Sequence, residues 1–169
     1  VGKYGYSRGE KASLRYNYMQ QRIRSVAIIV NDKNQILLCR NRSAHTGQDY
    51  YVPPGGGLDD GENVLINAVR EAKEETGLEI EIDKLVYYAE FLSSHFKCHN
   101  LELYFLAKSF KGQIKWDHPD ADDVIEEVVW LGQSDLTGKR VFPDILKDKF
   151  WEDLKNGFPE VRYLGQTSL

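Results

Sequence analysis

The stretch VPPGGGLDDGENVLINAVREAKEETGL, Val52–Leu78, decides how this chain is read. Its second half predicts a helix from Asn63 to Thr76. Asn63 is an N-cap residue, whose side-chain oxygen can take the free amides of a first turn. Leu65, Ala68, Val69 and Ala72 recur at i, i+3, i+4 and i+7, an apolar stripe. Gly77 stands where a helix end wants a left-handed residue. A second face carries Glu71, Glu74 and Glu75, and these carboxylates repel one another. Like charges at such spacings cost roughly 0.2–0.5 kcal/mol per pair. Anions near a helix C-terminus add about 0.3–1 kcal/mol each. Arg70 and Lys73 offset part of this, although on the helical wheel they point elsewhere. A cation would reverse the balance, because converging carboxylates are hard ligands suited to Mg²⁺ or Mn²⁺. The preceding loop, PPGGGLDDG, has four glycines in nine residues. Glycine lets backbone approach a ligand closely, so a carbonyl there can complete the shell that the helix begins.

Around this centre the pattern is that of an α/β protein of the α+β type. IRSVAIIV (Ile23–Val30) is β-branched and predicts a buried strand, NDKNQ a turn, and ILLC (Ile36–Cys39) the return strand of a hairpin. Arg40 to Asp49 reads as a polar loop and Tyr50–Val52 as a short strand halted by Pro53-Pro54. Beyond the helix, EIEIDKLVYYAEFL and LELYFLAKSF predict a long antiparallel pair. VIEEVVWL (Val124–Leu131) is a further strand, and Ser134–Thr137 a short helical turn. A final helix is expected from about Asp144 to Asn156, between Pro143 and Gly157-Phe158-Pro159. The order β-β-β-α-β-β-β-α predicts a mixed sheet with a helix on each face.

The chain has 169 residues, which fits one domain. Residues 1–22 form an N-terminal arm and 23–169 the domain. Net charge is −4, with 22 Lys and Arg against 26 Asp and Glu. That balance argues against a stable nucleic-acid partner. Only the arm is basic: Lys3, Arg8, Lys11, Arg15 and Arg22 face Glu10 alone. No apolar run is long enough to span a bilayer and no secretory pattern opens the chain, so a cytoplasmic location without membrane attachment is expected. Cys39 and Cys98 read as buried thiols in a reducing compartment. His45, His95, His99 and His118 show no zinc spacing.

Gly56, Glu62, Arg70-Glu71, Ala72, Glu74-Glu75, Gly77 and Leu78 together resemble the complete Nudix (MutT-like) box, over residues 56–78. All its fixed identities fall at the required spacing, with Ala72 small for its aliphatic place. The resemblance implies a Nudix α/β/α sandwich and divalent-metal-dependent hydrolysis of a nucleoside diphosphate linked to another moiety. It implies that Glu71, Glu74 and Glu75 bind Mg²⁺ or Mn²⁺, joined by the carbonyl of Gly55 or Gly56. Arg70 would orient the glutamates, Glu62 and Gly77 would support the loop and helix end, and an acid before Trp130 would assist. That acid is Glu126 or Glu127, of which strand alternation lets only one face the site. Glu74 or Glu75 is the first choice for general base, within a set that titrates together.

The substrate is open among nucleoside triphosphates, nucleotide sugars, ADP-ribose and similar molecules. The absence of proline between Pro54 and Pro119 counts against the ADP-ribose subgroup, and LLCRNRS (Leu37–Ser43) only half matches a coenzyme A pattern. Arg40, Arg42, Tyr51, Phe91 and His95 are candidate substrate contacts, and a homodimer is compatible with the fold. Two other readings stand beside the hydrolase. One is a non-catalytic nucleotide-sensing or partner-binding module, which a broken box would favour. The other is an isomerase-like enzyme with a separate acid–base pair.

Overall fold

The computed structural model describes residues 19–43, 46–94, 97–115 and 125–168. Among the described residues eight strands and two α-helices follow in the order β1 (Gln20–Ile28), β2 (Ile36–Arg42), β3 (Asp49–Val52), β4 (Gly55–Gly57), α1 (Val64–Thr76), β5 (Glu79–Ser93), β6 (Cys98–Lys111), β7 (Ile125–Leu131), α2 (Lys149–Lys155) and β8 (Arg162–Ser168). The strands divide into a five-stranded sheet, β4-β1-β6-β5-β8, and a three-stranded sheet, β3-β2-β7. The larger sheet is mixed: β1 runs parallel to β6, and β8 parallel to β5. The long pair β5–β6 is antiparallel, as expected.

The apolar runs of β1 and β2 serve two cores at once. Val26, Ile28, Ile36 and Leu38 join Tyr87, Tyr104, Leu146, Phe150 and Phe158 on the α2 side. Ala27, Ile29, Leu37 and Cys39 join Ala72, Leu78, Ile80 and Val128 on the α1 side. Alternate side chains point to opposite faces, so strands with no polar alternation are what a two-sided burial requires. This is the expected α/β/α layering.

Several expectations need correction. The β1–β2 turn forms, with Asn31 Oδ1 accepting the amides of Lys33 and Gln35, both at 3.0 Å. After one bridge, Val30 to Ile36, the strands part into different sheets, so Ile23–Cys39 is not a continued hairpin. β2 continues through Arg40–Arg42, in place of the expected loop, because β3 and β7 pair along both its edges. The single last helix is instead a 3₁₀ turn, Asp144–Lys147, followed by α2. The break lets Leu146 and Phe150 both bury fully, and the Trp151 indole N–H donates to the Leu146 carbonyl at 2.9 Å. β4 and β8 are additional strands. β1 begins at Gln20, inside the span assigned to the arm. The residues before Met19 lie outside the described ones, as does Val124. Among the described residues no helix is long and apolar enough to cross a membrane.

α1 keeps its predicted ends. Asn63 Oδ1 accepts from the amides of Leu65 and Ile66, both at 3.0 Å. Gly77 closes the helix at φ 79°, and a Cβ there would lie 2.7 Å from the Lys115 carbonyl. Its buried face differs from the predicted stripe. Asn67, Ala68, Ala72 and Thr76 are buried, whereas Leu65 and Ile66 are about half exposed. The buried line runs along the i, i+4 rows that contact β1, β4 and β5, and the first turn overhangs them.

Candidate active site

β4 is the edge strand under α1, and its polar groups organise the site. Ala27 donates to the Pro54 carbonyl and Leu58 to the Ile23 carbonyl. In an antiparallel ladder the pair between these two, Ser25–Gly56, is the bonded one. Gly56 is therefore spent on the sheet, while Gly55 and Gly57 turn their polar groups outward. An open edge needs partners. Glu75 Oε2 takes the Gly55 N–H at 2.8 Å. Arg24 donates to the Gly55 carbonyl at 3.0 Å. Asn67 and Arg70 donate to the Gly57 carbonyl at 2.8 and 3.3 Å. Glycine at 56 is a matter of room, because a Cβ would lie 2.3 Å from the Glu71 carboxylate.

Arg70 is the hub. Its guanidinium grips Glu62 through two bonds, Nε to Oε1 at 2.8 Å and Nη2 to Oε2 at 3.0 Å. Nη1 lies 3.0 Å from Glu71 and 2.8 Å from Glu74. Arg70 does not point away from the glutamates as the helical wheel predicts: the long side chain bends back over their face. The Arg70 hydrogen bonds hold the Glu62 carboxyl down at about 2. Glu71 shifts the other way. Burial raises it above the usual carboxylate range, against the pull of Arg70. Cys39 Sγ sits 3.9 Å from Glu75 Oε2, and burial first, then this carboxylate, raise the thiol.

Among the described residues no three acidic, histidine or cysteine side chains converge at metal-binding spacing. Glu74 turns to Arg70 and Glu75 to the Gly55 amide. The donor set nevertheless fits a hard divalent cation. Its carboxylate oxygens lie on one helix face beside the outward Gly55 carbonyl, an all-oxygen set of the kind hard divalent cations take.

The other candidates are scattered. Glu126 and Glu127 both bind Arg40, at 2.5 and 3.1 Å, and Asp49 adds a third contact at 3.2 Å. Arg40 is thereby tied within the β2–β3–β7 sheet. The register of β7 shifts here, Arg40 pairing with Glu127 and Asn41 with Ile125, so Glu126 is an extra residue that breaks the alternation and turns with Glu127 to Arg40, while Ile125 and Val128 face the α1-side core. Arg42 is exposed at the end of β2. Tyr51 packs against the α2-side core with Lys139 over its ring. Phe91 is half-buried on β5, opposite Asn100. His95 lies outside the described residues.

Sequence reasoning passed over Arg24, Asn67, Asn100, Glu102 and Tyr104. Arg24 lies 3.5 Å from Glu102, and Glu102 accepts the Tyr104 hydroxyl at 2.6 Å. The available signal was phase: Arg24 is in step with Val26 and Ile28, and Glu102 with Tyr104, so charge falls on a core-facing register.

The family profile of the NUDIX domain matches residues 20–153. The chain belongs to the Nudix family. A curated relative, Nudix hydrolase 2 of Arabidopsis thaliana, is 24% identical over 106 residues, 62% of this chain. The chain spans 37% of that relative's length. A MutT Nudix hydrolase from Burkholderia pseudomallei superposes with a TM-score of 0.60 at 30% identity, covering 72% of this chain and 90% of that one. The ORF135 protein of E. coli superposes with a TM-score of 0.65 at 22% identity, covering 83% and 95%. The Nudix box of the chain is the β4–α1 unit just described.

Proposed function

We propose that this Nudix chain is a divalent-metal-dependent pyrophosphohydrolase. It cleaves a nucleoside diphosphate linked to another moiety, such as a nucleoside triphosphate, a nucleotide sugar or ADP-ribose. One observation carries the reading: Glu71 and Glu74 meet at Arg70, and Glu75 from the same helix face takes the Gly55 amide on the outward edge of β4. We assign Glu71, Glu74, Glu75 and the Gly55 carbonyl as the groups that hold Mg²⁺ or Mn²⁺. When bound, the metal neutralises the diphosphate, polarises phosphorus and lowers the pKa of the attacking water. Glu74 or Glu75 takes the proton of that water. Arg70, fixed by Glu62, aims the glutamates, and Asn67 ties Glu62 to the Gly57 carbonyl. Glu126 and Glu127 act through Arg40 on the shape of the β2–β3 edge. Two buried unpaired cysteines support a cytoplasmic setting.

The test is a panel of nucleoside di- and triphosphate derivatives with Mg²⁺ or Mn²⁺, the products identified by mass. Glu74→Gln and Glu75→Gln should each lower turnover by about a hundredfold or more while melting like the parent. Near-parental turnover in both variants would remove the assignment.

A further inference from the structure

A polar row lies on a face that should be apolar. Arg24 and Glu102 are opposite one another on β1 and β6, in phase with the core residues Val26 and Tyr104. Asn100 precedes Glu102 by two residues on the same face. It is only 6% exposed, and among the described residues its Oδ1 has no hydrogen-bond partner. Unsatisfied polar groups on a core face are costly unless something fills them. The Arg24 and Glu102 side chains stay 29% and 22% exposed, so the row opens to solvent.

The row also adjoins the box. Arg24 reaches the Gly55 carbonyl at 3.0 Å and Glu102 at 3.5 Å, so one guanidinium separates that carbonyl from the carboxylate. With a diphosphate at the glutamates beside Gly55, as proposed above, the next group along a nucleotide is its sugar. The base lies further on. A sugar edge presents hydroxyl donors, and the row presents acceptors. Glu102 Oε1 has only the loose Arg24 contact, Oε2 keeps lone-pair capacity beyond the Tyr104 bond, and Asn100 Oδ1 is unused.

We propose that Glu102, placed by Arg24 and Tyr104 and assisted by Asn100, binds the vicinal hydroxyls of the substrate's ribose, so that the site prefers ribonucleotides to their 2′-deoxy counterparts. Glu102 is then a specificity-determining residue that touches substrate, and the inference rests on the nucleotide reading of the site.

The experiment compares the four ribonucleoside triphosphates with their four 2′-deoxy counterparts, by kcat/KM, in the parent and in Glu102→Gln. The parent should favour the ribo form by about tenfold or more, the scale of a hydrogen bond to a charged group. Glu102→Gln should bring that ratio down to about threefold or less, losing more on the ribo substrates than on the deoxy ones. A parental ratio near one overturns the proposal while leaving the hydrolase reading intact. So does a variant that loses both substrates equally and keeps the ratio, which marks a purely structural ion pair. A variant that instead changes the preference among bases assigns Glu102 to the base and also overturns it. If the parent turns over none of the eight, triphosphates are not its substrates and the hydrolase reading passes to the wider panel above. The ribo-to-deoxy ratio for nucleoside diphosphate binding, by titration calorimetry, then decides this inference by the same thresholds.

Discussion

Glu62 and Glu71 share one guanidinium, yet their carboxyls shift in opposite directions. Glu62 accepts two bonds from Arg70 and falls from 4.5 to about 2. Glu71 is the more desolvated and rises, despite the same partner. The Glu62 shift has a stability consequence with a definite sign. Its folded pKa lies below its unfolded one, so the pair's contribution is full above about pH 4.5 and is lost as pH falls towards 2. Glu62→Gln should therefore melt below the parent at pH 7, and the gap should close between pH 4.5 and 2. Thermal melts across that range would show it, and a constant gap would mean that the Arg70 clamp is not what holds Glu62 down. At this scale the box glutamates were legible because their spacing is local to one helix. Arg24 and Glu102 were not, because what brings them together is the register of β1 on β6, across 78 residues of chain.

α1 was legible at both ends for a physical reason: cap chemistry is written in the capping residue itself. Asn63 satisfies two amides, so Asn63→Ala should cost about 1 kcal/mol, read as a fall in denaturant midpoint with unchanged m-value. β4 carries almost no sequence signal, since three glycines have no side chains to alternate. Its role is nonetheless strict. Gly56→Ala puts a methyl group into the Glu71 carboxylate and must displace either α1 or β4. Turnover should then drop by more than about tenfold, with a smaller loss of stability than a core cavity would give. Parental kcat in Gly56→Ala would show that the β4–α1 spacing is not what positions Glu71. β8 escaped notice for a different reason. It is an edge strand with an exposed, polar pattern and a glycine at position 165, and only its pairing with β5 defines it. The break before α2 is likewise a tertiary choice, made by where Leu146 and Phe150 find room.

Across the whole molecule, two cores on opposite sides of shared strands set the α2-side packing apart from the box glutamates on the α1 side. The sequence run IRSVAIIV signals burial on both faces, but not that β1 and β2 would part into two sheets after a single bridge. That depends on β6 and β7, which compete for their edges from far along the chain. The α2 side is closed by a polar tie between three elements. Tyr87 of β5 donates to Asp153 of α2 at 2.8 Å, and Arg162 of β8 donates to the other Asp153 oxygen at 3.2 Å. Tyr87 is fully buried and Asp153 nearly so. Burial and the adjacent Asp153 charge both push the Tyr87 hydroxyl up, so it stays protonated and donating. Tyr87→Phe removes one bond and leaves Asp153 its arginine, a loss of about 1–2 kcal/mol. Asp153→Ala strands the Tyr87 hydroxyl and leaves Arg162 only the Glu160 contact at 3.6 Å, and should cost about 2–4 kcal/mol, less than for a fully buried pair because Arg162 is one-third exposed. The melting temperature should fall by several degrees in the first variant and roughly twice as far in the second. Because the glutamates lie on the other side of the sheet, hydrolysis at about 25 °C should change by less than about threefold in Tyr87→Phe. A Tyr87→Phe protein that melts normally but loses turnover would show that the Tyr87–Asp153–Arg162 tie positions the box glutamates across the sheet.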